Sequence, residues 1–504
     1  MKKLLSILIC IAVIGAVLTS CSHGTNNNGT LIENNTGSDT DEIGSSSDTS
    51  SEGTSDSESN TELPEFSSEG LVYELNEDGN GYTVTGIGTC TDTDIVIASK
   101  YENKPVTNIG DRAFYKCGEL TSITIPDSVT NIGYFAFQSC SKLESITIPA
   151  GVTGIDSFAF HRCAELKSVN FAEDSKLTYI GTDAFADCGE LTDIIIPDSI
   201  TSIGNSAFTG CDKLPYNEYG NALYLGSGTN KYMALIKVTD KNITSYSIHE
   251  DTRIIGNSAF NNCKVLADIT FAESGNLKHI GSDAFDQCIE LTDVTVPDGV
   301  ISIGDAAFLL CSGLTSITIP DSVTSIGSSA FYGCRGLTSI NIPEGVTIID
   351  GSAFGGCSGL TSIKIPDSVT IISAAAFGGC SGLTSINIPD GVTYIGGSAF
   401  EGCSGLTSIT IPEGITEIES KTFSRCTGLT SITIPQNVSR IEANAFSECS
   451  GLTDVIFENP DGWWYAMLAT STVGTKISSS DLSDTSTAAE YLTDKFDNKY
   501  WSRS

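Results

Sequence analysis

A block ending in Ala-Phe-x-x-Cys recurs down the chain and sets its phenylalanines at Phe114, Phe137, Phe160, Phe185, Phe208, then Phe260, Phe285, Phe308, Phe331, Phe354, Phe377, Phe400, Phe423 and Phe446. Most steps are 23 residues, as from Phe331 to Phe354. A block of that length has too few apolar residues to enclose a core alone, whereas identical blocks stacked on one another bury a continuous one. The chain therefore reads as a repeat solenoid. Such a fold exposes long regular faces, while catalysis needs unlike side chains converging on one point.

Within one block, Leu314-Thr-Ser-Ile-Thr-Ile-Pro320 alternates apolar and polar residues and stops at a proline, which cannot donate to a ladder. This is the pattern of a short strand. Ten of the 14 prolines stand at this place, from Pro126 to Pro435, so each strand is cut to the same length. Val323, Ile326 and Gly327 then mark an inward turn and a sharp bend. Ser328-Ser-Ala-Phe-Tyr-Gly-Cys334 is too short for an independent helix but suits one helical turn docked by Phe331 and Cys334. The expected class is α+β, with short parallel strands on an inner sheet, one-turn helices and a 23-residue period.

Leu314-x-x-Ile317-x-Ile319 is similar to the Leu-x-x-Leu-x-Leu core of leucine-rich repeats. The 23-residue form with Ile-Pro and Ala-Phe-x-x-Cys resembles the BspA-type repeats of bacterial surface proteins. The resemblance covers about Ile95 to Phe457 and rests on fourteen near-copies. It implies a leucine-rich repeat fold and a role in surface adhesion or host interaction; enzymatic or cofactor-dependent chemistry is not expected, since no convergent cluster or catalytic motif is found.

Met1 to Cys21 combines two lysines, an apolar run from Leu4 to Val17 and the tetrad Leu18-Thr19-Ser20-Cys21. The first features make a secretory signal. The tetrad matches a lipobox, and its resemblance to those of bacterial lipoproteins implies cleavage before Cys21 and diacylglycerol on the sulfur. The expected location is the cell envelope, outside the cytoplasm, with the membrane engaged through that lipid. The organisation then reads as a lipoprotein signal peptide (1–20), a disordered acidic tether (21–70), an N-terminal cap (71–110), the solenoid (111–457) with a hairpin insertion at about 212–241, and a C-terminal cap (458–504). The tether is Ser, Thr, Asn, Gly, Asp and Glu with almost no apolar content, too little to offset its ordering entropy. Leu71 to Asp94 alternates like a hairpin around Asn76-Glu-Asp-Gly79, and Thr487-Ala-Ala-Glu490 has the form of a capping box opening a helix to about Phe496. Trp463, Trp464 and Trp501 either close the core or form a carbohydrate platform.

A net charge of −36 argues against nucleic acid and against anionic membrane, since both need clustered cations. The residue after the strand proline is acidic in coil after coil, as in Asp321, Glu344, Asp367 and Asp390. These are either solvated turn acids or a row for divalent cations. Fourteen of the 17 cysteines follow the repeat phenylalanine by three residues. Equivalent side chains point the same way, which disfavours disulfides and makes buried free thiols the better reading. His161, His249 and His279 hold three different places in the coil, and no catalytic or metal-binding motif is present.

The polar strand positions are monotonous, as in Ser316/Thr318 and Ser431/Thr433, and offer none of the Trp, Tyr or Arg that concentrate binding energy. Lys364 is the one cationic departure. The repeat breaks between Cys211 and Asn242, where Ala222-Leu-Tyr-Leu225 and Tyr232 to Val238 flank a glycine-containing turn. Tyr216, Tyr219, Tyr224 and Tyr232 gather there, either covering the interrupted core or forming a protruding island that selects a partner. Together with Lys364 they are the candidate binding residues for an extracellular protein or glycan. A structural envelope spacer without a ligand is the other reading.

Overall fold

The computed structural model describes residues 67–503 apart from 273, 274 and 472. The expected signal peptide, Cys21 and all but the last four residues of the expected tether lie outside the described residues. Each coil has three sides. The first is the expected strand, as in Ser316–Thr318, which pairs in parallel register with Asp293–Thr295 of the preceding coil. Its central Ile317 is buried while Ser316 and Thr318 face solvent, as the alternation requires.

The second side is a parallel ladder of its own. Ser325–Ile326 pairs with Ser302–Ile303, which pairs with His279–Ile280, so the bend after Val323 is itself a two-residue strand. Stacking explains this. A segment too short to hold any strand alone gains ladder bonds from the coils above and below it.

The third side carries no one-turn helix. Ser328 to Cys334 forms overlapping turns in which Ala330 N–H donates to Gly327 O, Tyr332 to Ser329 O and Cys334 to Phe331 O. The alternate N–H groups, of Ser329, Phe331 and Gly333, donate outward to the next coil. This alternation needs left-handed backbone on both flanks of the phenylalanine, at Ser329 (φ 56) and Gly333 (φ 73). A helix would turn all these donors inward and leave the coils unjoined along this side. Glycine meets the requirement without strain at Gly333, Gly356, Gly379 and Gly402, whereas Ser, Asp, Lys or Asn stand at many of the other left-handed places.

The core is a stack of rings and thiols. Successive repeat phenylalanines lie nearly parallel with centroids 5.0 to 5.7 Å apart, as in Phe137 to Phe160 and Phe400 to Phe423. Each such pair contributes about 0.5–1.5 kcal/mol beyond its area burial. The ladder cysteines are free and, apart from the half-buried Cys117, buried. All but Cys117 and Cys263 reach back one coil, as where Cys311 Sγ donates to Phe285 O (3.1 Å) and Cys357 Sγ to Phe331 O (3.1 Å). Burial raises Cys311 and Cys380 far above the ordinary thiol range, to about 12. The sulfur thus fills space and satisfies a carbonyl that the turn leaves half-used.

Both ends are closed. A hairpin of Val72–Leu75 and Tyr82–Gly86 joins Lys104–Ile109, which leads into the second ladder. At the far end Tyr500–Arg503 pairs antiparallel with Arg440–Ile441 and with Trp463–Ala466. Trp463 and Trp501 are buried over the last coil, with indole N–H groups donating to Asn459 O (3.0 Å) and Phe496 O (3.1 Å), so neither is a carbohydrate platform. The helix Thr485–Glu490 is capped by Asp484, whose carboxylate accepts from Thr487 N–H (2.8 Å). The cap therefore lies three residues before the Thr487 box.

Candidate binding surface

The interruption is a three-stranded meander, Asn217–Tyr219, Ala222–Leu225 and Ala234–Val238, that continues the second ladder through Ala234–Val238 pairing with Ile254–Ile255. Its tyrosines do unlike things. Tyr224 is fully buried, and its hydroxyl meets that of Tyr246 (3.0 Å), which in turn donates to Tyr219 O (2.8 Å). Tyr224 is therefore core and cannot meet a partner, which corrects its place among the binding residues. Tyr216 is half-buried and donates to Phe208 O (3.2 Å). That is the carbonyl a ladder cysteine would satisfy if the coil were regular, so Tyr216 replaces a missing thiol.

Tyr219 and Tyr232 lie nearer the surface, packed edge-on at 5.9 Å, with His249 4.7 Å from Tyr219 and 4.0 Å from Tyr232. Tyr219 is 39% exposed and Tyr232 half-buried against the core. The island reading thus reduces to the outer rim of Tyr219. Lys364 is exposed on the first sheet and paired with Glu344 (2.9 Å), so its charge is already matched by an acid of the proline row. An exposed pair of this kind contributes little. His161, His249 and His279 stay apart: the first on the turn side, the second among the tyrosines, the third on the second ladder beside Ser302 (2.8 Å). Among the described residues no three His, Cys, Asp or Glu side chains gather as a metal site.

A surface that the sequence reading passed over lies on the turn side of the first coils. Two residues before the repeat phenylalanine, where other coils place Asp183, Ser206, Ser329, Ala375 or Lys421, stand Phe135 and Phe158. Their rings stack 4.9 Å apart. Arg112, at the same place one coil earlier, lies over Phe135 (5.1 Å), and His161 lies 5.6 Å from Phe158. Tyr134 (48% exposed) and Tyr115 (39%) flank this ridge, and Lys116 sits over Tyr115 (5.0 Å). Phe135 and Phe158 hold φ of 59° and 61°, a left-handed backbone that bulky side chains seldom adopt. Small or polar residues close the same turn elsewhere, so the aromatics are not needed for folding. The left-handed backbone itself is common to this place in every coil, so what sets these two positions apart is the size of the rings they carry. The sequence signal was available in Tyr134-Phe135-Ala-Phe137 and Ser157-Phe158-Ala-Phe160, where a second phenylalanine precedes the repeat one.

These observations define a leucine-rich repeat solenoid with regular sheets and a few irregular surfaces. The chain belongs to the BspA-type leucine-rich repeat family, whose pattern it matches in six copies over residues 93–215, 238–361 and 347–461. It is similar to a leucine-rich repeat protein from Bacteroides ovatus, with 30% identity over 74% of this chain and 95% of that one and a TM-score of 0.38. It is also similar to a leucine-rich cell surface protein from Faecalibacterium prausnitzii, with 26% identity over 78% and 88% of the two chains and a TM-score of 0.28. Comparison with the curated proteins returned no match. Among the described residues no helix is long and apolar enough to cross a membrane.

Proposed function

We propose that this is a surface protein, anchored through lipid on Cys21, that binds an extracellular protein non-covalently through the ridge of Arg112, Tyr115, Tyr134, Phe135 and Phe158. The observation that carries the reading is the stacked pair Phe135 and Phe158 held on left-handed backbone. Aromatics and arginine concentrate binding energy in protein interfaces; the regular coils expose them singly, as at Tyr332, Tyr394 and Arg425, whereas here they adjoin one another. A protein partner is favoured over a glycan because ring faces, the part a sugar would stack on, are already used between Phe135 and Phe158 and by Arg112. A spacer with no ligand would have no use for half-exposed stacked rings.

The test of binding is to pass the purified protein over an array of extracellular proteins and glycans beside a Phe135→Ser, Phe158→Ser variant. A protein ligand retained by the first and lost by the second is expected; ligands held equally by both, or none held by either, would defeat the proposal. The anchor has its own test. Fatty-acid labelling in cells should vanish in Cys21→Ala, and unchanged labelling would rule it out.

A further inference from the structure

The interruption also leaves a gap in the hydrogen bonding of the turn side. In the coil of Phe377, Ala375 N–H donates to Gly397 O (2.9 Å), Phe377 to Ala399 O (2.8 Å) and Gly379 to Glu401 O (2.6 Å). The same three bonds join the regular coils before and after it. In the coil of Phe208 the equivalent donors are Ser206, Phe208 and Gly210, and their N–H groups have no acceptor among the described residues. The chain does not supply the next rung there. On the facing side the matching carbonyls are taken, that of Ala259 by Val238 N–H (3.1 Å) and that of Asn261 by the Lys241 ammonium.

Between the two walls runs a cleft of about 220 Å³. Its floor is apolar, with Phe208, Ile236 and Val238, and its rim carries Thr209, Lys237 and Asn257. No carboxylate is among its lining residues, although the chain as a whole carries a charge of −36. One wall therefore offers donors at alternate residues, Ser206 and Phe208 in the lining and Gly210 just beyond it, the spacing of an unpaired ladder edge. Elsewhere in this molecule the complement of that edge is a chain presenting alternate carbonyls.

We propose that the cleft is a peptide-binding site, in which an extended acidic peptide lays its alternate carbonyls along the N–H groups of Ser206, Phe208 and Gly210 and turns a carboxylate to Lys237. Main-chain pairing supplies the grip, as in strand addition to a sheet edge. The exposed Lys237 ammonium supplies the preference for acid. Tyr216, Ile236 and Val238 line the cleft with Phe208, and a volume of about 220 Å³ limits the residue over the floor to a small one. The site is independent of the aromatic ridge.

The test uses the full chain and a fluorescein-labelled peptide, Glu-Gly-Ala-Gly-Glu-Gly, with its Lys-for-Glu counterpart and an oligogalacturonate as comparison probes. Fluorescence anisotropy should detect the acidic peptide. Binding should weaken at least tenfold in Lys237→Glu and in Thr209→Glu, both exposed positions whose exchange should leave the melting temperature unchanged. Amide hydrogen exchange over residues 203–210 should slow when the acidic peptide is present. No binding at millimolar peptide, equal binding of the lysine peptide, unaltered affinity in both variants, unchanged exchange at 203–210, or binding of the sugar acid in place of the peptide would each overturn the assignment.

Discussion

Tyr224→Ala is expected to destabilise the protein by about 3–5 kcal/mol, the range for emptying a buried aromatic site, and to split its unfolding into two transitions. The core is already divided at this point. One cluster of buried side chains runs from Tyr82 to Leu214 and takes in Leu225, Met233, Ala234 and Ile254; the other runs from Ala222 to Trp501. Phe185 stacks on Phe208 and Phe260 on Phe285, but the ring stack does not pass from Phe208 to Phe260. Tyr224 and Tyr246 close the second cluster at that break, their hydroxyls 3.0 Å apart and Tyr246 edge-on to Phe260 at 5.4 Å. In a solenoid, stability is a sum of coil and interface contributions, so the weakest interface decides whether the array melts as one. Tyr224→Phe keeps the ring, and Tyr246 still has Tyr219 O to donate to, so it should cost only about 1 kcal/mol. Chemical denaturation of the two variants separates the cases. A single transition in Tyr224→Ala, with a loss no greater than in Tyr224→Phe, would contradict the assignment of Tyr224 to the core.

Alkaline pH should unfold the chain steeply. Burial raises thirteen of the ladder thiols, among them Cys263 and Cys449 to about 11 and Cys211, Cys311 and Cys380 to about 12. A thiol whose folded value lies above its unfolded one contributes stability that is fully present below the unfolded value, near pH 9, and is lost as pH rises through the folded value. The window here is about pH 9 to 12. Each thiol can remove up to about 1.4 kcal/mol per pH unit, so even three acting together remove about 4 kcal/mol per unit. Urea midpoints measured under reducing conditions from pH 7 to 11 should hold steady to about pH 9 and then fall with a slope of several protons. A slope of one proton or less would mean that the thiols are not buried as a ladder.

The parts of this structure that repeat were open to sequence reading, because each coil states the same pattern again. Pro320 and its equivalents end the strands, and Cys334 and its equivalents are buried thiols, as their shared spacing suggested. The turn side was misread because left-handed backbone at Ser329 or Ala375 leaves little mark in composition; only the glycines at Gly333, Gly356, Gly379 and Gly402 hint at it. The second ladder was missed because two residues such as Ser325–Ile326 show no period, and their pairing comes from stacking alone. Tyr224 was misplaced for a different reason. Ala222-Leu-Tyr-Leu225 has apolar or aromatic residues at every position, so alternation cannot say which side of the strand faces the core, and a shift of one residue exchanges the two. Phe135 and Phe158 escaped notice because each stands two residues from a core phenylalanine and blends with the repeat.

The central claim is that recognition lies in the aromatic ridge and not in the regular coils. Its most direct measurement pairs the melting temperature with the affinity of one captured protein ligand, for the wild type and for Phe135→Asn, Phe158→Asn. Asparagine tolerates the left-handed backbone, so relief of strain should offset lost ring packing and hold the melting temperature within a few degrees. Loss of two interface anchors should weaken binding at least tenfold, about 1.4 kcal/mol. A melting temperature that collapses while the folded fraction keeps its affinity would contradict the account, and would make the ridge a packing device.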